Sequence, residues 1–226
     1  MNLPNYITLS RIAAIPLIIW VLTTTYFSAQ QETLRVVLAS SIFVLASITD
    51  GLDGYLARRR GQITTMGVLL DPLADKLMIA AAFITLVQLI PSIVNVWVAV
   101  IVIGREFLIS GLRSIAASEG FTIEASQLGK LKMVVQIVSV VSAILALRWD
   151  SWPLFAGIFL PVRWIAIFAV WFMVAVSVIS CVDYFVGFWK KIDTHAERRR
   201  RRRRFILSRR KKAAVQSDAE NPAKAN

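Results

Sequence analysis

Four aspartates stand in one pattern near the end of an apolar segment: Asp50-x2-Asp53-Gly54-x2-Ala57-Arg58-x8-Gly67-x3-Asp71-x3-Asp75. Carboxylates beside a membrane span are expensive and are rarely there without work to do. At about 100° per helical residue, Asp50, Asp53, Gly54 and Ala57 fall within an arc of roughly 100°. Gly67, Asp71 and Asp75 repeat every four residues and share a face of the next helix. The two acidic stripes, separated by a short basic turn, can therefore face each other. Four carboxylates that close do not all stay ionised without cations between them. Hard oxygen ligands suit Mg²⁺ or Mn²⁺ better than zinc. The plainer alternative, pairing of the aspartates with Arg58, Arg59, Arg60 and Lys76, does not explain Gly54, Ala57 and Gly67 at those offsets.

With all eight of its fixed positions matched, this spacing resembles the signature of the CDP-alcohol phosphotransferase family, D-x2-D-G-x2-A-R-x8-G-x3-D-x3-D. The resemblance implies a metal-dependent phosphatidyltransferase that uses two Mg²⁺ or Mn²⁺ ions. Asp50, Asp53 and Asp71 would be metal ligands. Asp75 would join the metal site and also take the proton of the attacking hydroxyl. Two ions about 3.5–4 Å apart can stabilise both the attacking and the leaving oxygen of such a displacement. The family would place the cytidine and ribose of the donor against Gly54, Ala57 and Gly67. Close packing of membrane helices is the competing role for those small residues, and both roles can coexist. Arg58 suits a donor phosphate, whereas Arg59 and Arg60 suit lipid headgroups. Pro72 removes a helix donor and disfavours ordinary α geometry at Asp71, so a local kink turning Asp71 into the cleft is expected beside a harmless membrane-helix proline.

The elements that must hold these groups are apolar helices. The chain has 226 residues, 57% hydrophobic and only 18% charged, too apolar for an ordinary soluble domain. Ile12–Ser28, Val36–Thr49, Leu77–Gly104, Met133–Leu147 and Trp164–Val182 contain no charged residue. A span needs about 20 mainly apolar residues, so the third run is long enough to hold a turn, which Pro91, Ser92 and Asn95 supply. The expected fold is all-α and integral to the membrane, a bundle of six transmembrane helices near 5–27, 34–58, 65–90, 94–117, 126–148 and 161–188. Nothing reads as barrel alternation. Residues 1–190 form the membrane-embedded phosphotransferase domain of this reading, and 191–226 a basic, disordered cytoplasmic tail.

Basic residues near span ends set the orientation. With the N-terminus cytoplasmic, that side receives Arg11, Arg58 to Arg60, Lys76, Arg105, Arg113, Lys130, Lys132, Lys190 and Lys191, and the other keeps Arg35, Arg148 and Arg163. The protein is thus expected in the bacterial inner membrane, multi-pass, with both termini and the active site cytoplasmic. A cleaved leader ending at Ser28-Ala29 is disfavoured, because an even span count fits the charges without cleavage. Cys181 is expected to pack inertly in the last span and His195 to be solvated.

Residues 198–226 hold twelve Lys or Arg against Asp218 and Glu220, so +10 of the net +12 is local to the tail. Arg198 to Arg204 lead into Phe205-Ile206-Leu207 and four more basic residues. Beside a final span this suits anionic lipid headgroups, at about 1 kcal/mol per basic residue, with a topological anchor as the equal alternative. Nucleic acid is not expected as a partner, since the run lacks interleaved aromatics.

The acceptor is read from outside the aspartates. The stretches Asn2 to Arg11, Gly104 to Arg113 and Gly129 to Lys132 resemble the bacterial phosphatidylglycerophosphate synthase branch of the family. That branch would use CDP-diacylglycerol and glycerol 3-phosphate, with Asn5 and Thr8 near the donor nucleotide or in a helix-capping role. An anionic acceptor needs cations, and Arg105, Arg113, Lys130 and Lys132 offer four, each with a positive-inside anchor as its alternative. Arg105 can also simply pair with Glu106. Inositol phosphate, serine or phosphatidylglycerol are the rival acceptors, and a divalent-cation transporter is the rival class. A homodimer is expected by analogy with the family.

Overall fold

A computed structural model describes residues 3–60, 65–121, 127–153 and 159–220, with side chains over 9–28, 30–49, 70, 72–121, 131–153 and 159–192. Six α-helices occupy the described residues: α1 (Leu3–Thr23), α2 (Glu32–Arg60), α3 (Thr65–Leu89), α4 (Val96–Ser118), α5 (Gln127–Leu145) and α6 (Val162–Glu220). They follow the six expected segments to within a few residues at every end but the last. A single 3-10 turn, Ala29–Gln31, precedes α2, and two-residue strands β1 (Trp152–Pro153) and β2 (Phe159–Leu160) pair antiparallel before α6. This small ribbon is the one departure from an all-α chain among the described residues. It lies where Pro153 and Pro161 interrupt helix formation.

Among the described residues, three helices contain a segment long and apolar enough to cross a membrane: Glu32–Thr49, Pro72–Leu89 and Val162–Ile192. Leu9–Thr23 and Leu131–Leu145 are shorter apolar segments. Helix α4 differs because it carries Arg105, Glu106 and Arg113 within its length.

Packing closes the helices into a ring in the order α1, α2, α5, α6, α4, α3. Phe43, Phe83, Leu22, Leu86, Ile144 and Met173 are fully buried inside it. Ala39, Ala82, Ala143 and Ala166 are also buried, and such small side chains let helices close up. Large apolar groups such as Trp20, Trp97, Phe168 and Trp171 face outward. Ser139 ties α5 to α6, its hydroxyl lying 2.7 Å from the carbonyl of Val135 and 2.8 Å from that of Ala169. Arg163, at the start of α6, donates to Ser92 (3.1 Å) and Asp150 (3.3 Å), joining the α3–α4 turn to the α5–α6 connection.

The helix ends follow local chemistry. Asn95 caps α4, its Oδ1 accepting from Val98 N–H at 2.9 Å, at the end of the turn expected from Pro91 and Ser92. At the other end, Gly120 takes φ 78°. Its N–H donates to Ala117 and that of Phe121 to Ala116, both at 3.1 Å, which is the Schellman arrangement. Phe121 then packs on Ala116 and Phe188, closing α4 against α6.

Helix α6 passes the expected 190/191 boundary and continues to Glu220, where irregular chain was expected. No Gly or Pro lies between Phe188 and Glu220, and the stretch is rich in Arg, Lys and Ala, all strong helix formers.

Replacing Gly120 by Ala forces a side chain into the left-handed region, at about 1–2 kcal/mol. Thermal unfolding of the detergent-solubilised protein is expected to show that loss, with activity of the remaining folded fraction unchanged.

Candidate active site

Asp50 and Asp53 lie on the last third of α2, and Asp71 and Asp75 on the first half of α3, so the acidic pattern is carried by two helices as its spacing requires. Gly54, Ala57 and Arg58 follow on α2, Gly67 opens α3, Asn5 and Thr8 lie in the first turns of α1, and Lys130 lies in the first turn of α5. The side chains of all of these except Asp75 lie outside the described ones, as do those of Arg59, Arg60 and the tail. Pro72 sits inside α3, which remains one helix through it.

Asp75, about 15 Å along α3 at 1.5 Å per residue, lines a cavity of about 290 Å³ within the ring. Arg105 and Arg113 of α4 and Lys132 of α5 line the same cavity. Three of the four expected acceptor cations thus meet Asp75 in one space. Arg105 and Arg113 are two helical turns apart and share a face of α4.

A hydrogen-bonded cluster orders the cations. Arg105 Nη1 donates to Glu106 Oε1 at 3.1 Å and Nη2 to Ser180 Oγ of α6 at 2.8 Å. Lys132 pairs with the same Glu106 oxygen, so one carboxylate bridges α4 and α5. The side chains of Arg105, Glu106 and Lys132 are 8%, 17% and 12% exposed, which makes these pairs interior ones. Arg105 Nε remains buried without a partner among the described residues. The Arg113 guanidinium sits 5.6 Å from the centroid of the Tyr184 ring, a cation–π arrangement that holds it without neutralising it. Such a pocket offers donors and positive charge to an anion, next to a carboxylate able to take a proton.

Ser180, Tyr184 and Gln136 also line the cavity and are absent from the sequence reading, which gave Glu106 only the part of a partner for Arg105. Gln136 carried a readable sign, a polar residue four positions beyond Lys132 in an apolar helix. Ser180 and Tyr184 carried none, because α6 meets the cavity only through tertiary packing. Arg11, read as a cytoplasmic end charge, is 2% exposed and belongs to the interior of α1.

Residues 1–179 match the family described as CDP-alcohol phosphatidyltransferase. The chain belongs to the CDP-alcohol phosphatidyltransferase family. Among members of that family, it is 38% identical over 199 residues to the CDP-diacylglycerol–glycerol-3-phosphate 3-phosphatidyltransferase of Bacillus subtilis (strain 168), covering 85% of this chain and 98% of that protein. It is 43% identical over 136 residues to the protein of the same name from Rickettsia bellii (strain RML369-C), covering 60% and 71%. The crystal structure of Mycobacterium tuberculosis phosphatidylinositol phosphate synthase in apo form superposes with a TM-score of 0.56 at 19% identity, over 83% of this chain and 90% of that one. That likeness is one of fold.

Glu106→Gln leaves Arg105 and Lys132 without their shared countercharge, and hydrogen bonds to charged groups are worth about 1.5–3 kcal/mol. The variant is expected to melt lower than the parent and to be stabilised more by added inorganic phosphate. A thermal-shift titration with phosphate checks both expectations.

Proposed function

We propose that the protein transfers the phosphatidyl group of CDP-diacylglycerol to sn-glycerol 3-phosphate, giving phosphatidylglycerophosphate and CMP. The observation that carries this reading is the single cavity shared by Asp75, Arg105, Arg113 and Lys132. Its volume, near the lower end of ligand pockets, suits a small phosphorylated alcohol better than a lipid acceptor. The names of the relatives support the same donor and acceptor.

In this mechanism Arg105, Arg113, Lys130 and Lys132 hold the acceptor phosphate and fix its free end toward α3. The acceptor hydroxyl oxygen attacks the phosphatidyl phosphorus, the bond to CMP breaks, and the hydroxyl proton passes to Asp75. Asn5, Thr8, Gly54, Ala57, Arg58 and Gly67 bind the donor. The fit of a divalent cation rests on the donor set: four carboxylates on two helices are hard oxygen ligands suited to Mg²⁺ or Mn²⁺. Asp50, Asp53, Asp71 and Asp75 would hold two such ions, which when bound neutralise pyrophosphate charge and acidify the attacking hydroxyl.

The same reading places six spans in the bacterial inner membrane, with both termini and the site cytoplasmic and a homodimer as the assembly. Residues 1–190 are the phosphotransferase domain, and 191–226 a basic extension that meets anionic headgroups. A divalent-cation transporter is the weaker reading, because a path lined by Arg105, Arg113 and Lys132 repels such ions.

Purified protein given CDP-diacylglycerol and glycerol 3-phosphate is expected to release CMP. Asp75→Asn should lower the rate at least about 100-fold, the lower range for loss of a general base, and Asp71→Asn should abolish turnover while the protein still inserts. Arg113→Gln should raise KM for glycerol 3-phosphate about tenfold or more, as expected for a hydrogen-bonded charge, and leave KM for the donor unchanged. Preference for serine, inositol phosphate or phosphatidylglycerol over glycerol 3-phosphate would overturn the acceptor assignment.

A further inference from the structure

Three polar atoms in the wall of the central cavity are buried without a hydrogen-bond partner among the described residues: Arg105 Nε, Tyr184 Oη and Gln136 Nε2. A buried donor left unsatisfied costs about 1–3 kcal/mol, so three around one space mark the outline of a polar ligand. Two of them belong with charge: Arg105 is a cation and the Tyr184 ring carries Arg113. Gln136 is different. It is neutral, only 4% exposed, and lies one turn beyond Lys132 on the same face of α5. Its amide can donate or accept, a capability that matches a hydroxyl.

Glycerol 3-phosphate presents three recognisable features. Its phosphate is met by the cationic cluster and its reacting hydroxyl by Asp75. Its middle hydroxyl has no partner assigned so far. Asp75, Arg105, Glu106, Arg113 and Lys132 are already committed to the phosphate, to the proton or to another side chain, and beside the Lys76 ammonium the cavity wall offers the neutral Gln136 amide for the remaining hydroxyl. Resting on the reaction proposed above, we infer that Gln136 is a specificity-determining residue that hydrogen-bonds the unreactive hydroxyl of the acceptor. The pocket thereby distinguishes a three-carbon polyol phosphate from a simple hydroxyalkyl phosphate.

The test compares two acceptors on the same full-length protein with CDP-diacylglycerol as donor: glycerol 3-phosphate and 3-hydroxypropyl phosphate, which lacks only the middle hydroxyl. The parent protein is expected to prefer glycerol 3-phosphate by about tenfold or more in kcat/KM, as the loss of one buried hydrogen bond implies. In Gln136→Leu that preference should fall to about twofold or less, mainly through KM for glycerol 3-phosphate. Use of a ratio within one variant cancels any loss of folded protein, and Gln136→Met, read in the same way, provides a second shape. A parent protein without preference, or a Gln136→Leu variant that keeps the parental preference, overturns the inference and leaves the reaction standing. Absence of CMP release from the parent with either acceptor overturns the reaction and the inference together.

Discussion

An arginine and a lysine enclosed by apolar helices repel each other and lose their hydration, and a single carboxylate placed between them offsets both effects. Glu106 holds that position, bonded to Arg105 on its own helix and to Lys132 on α5. Without it the cationic side of the cavity would have to open to water or spread apart. With it, two positive groups stay close together in the cavity wall, as the proposed phosphate site requires. Desolvation makes such a cluster a poor source of net stability. For the proposed reaction, its value lies in keeping charge concentrated where the acceptor phosphate would bind.

The ring order of the helices converts this local balance into a site. Neighbours along the chain are not always neighbours in the bundle, since α2 packs chiefly on α1 and α5, and α4 chiefly on α6 and α3. That arrangement brings α3, α4, α5 and α6 around one space, each contributing a different capability. Helix α3 brings a carboxylate and an ammonium, α4 two guanidiniums and their carboxylate partner, α5 an ammonium and an amide, and α6 a hydroxyl and an aromatic ring. The apolar surface outside and the small residues between the helices allow that convergence within a membrane-sized bundle.

Much of this organisation was legible in the residues. Five uncharged runs, the longest divided by a turn, located the six helices, because a charge inside lipid is costly. Pro91, Ser92 and Asn95 announced the turn before α4, and the four-residue repeat of Gly67, Asp71 and Asp75 gave a helical face. The aspartate pattern marked Asp75 as a candidate, the charge an anionic acceptor requires marked Arg105, Arg113 and Lys132, and the structure gathers these four around one cavity. Ser180, Tyr184 and Gln136 were not legible in the same way. Polar residues in a span are ambiguous until packing shows which neighbour they meet. Arg11 was read as a boundary charge because sequence position cannot distinguish a snorkelling arginine from a buried one. The tail was read from its charge, which argues for solvation, whereas its helix-forming composition governs the backbone through Glu220.

The Ser139 hydroxyl touches backbone carbonyls of both α5 and α6 from a fully buried position. A shared anchor of that kind allows neither helix to slide along the other without breaking it. Lys132 and Gln136 are therefore mounted on the same chassis as Ser180 and Tyr184. Their mutual spacing is preset before any substrate arrives, in the manner of a template.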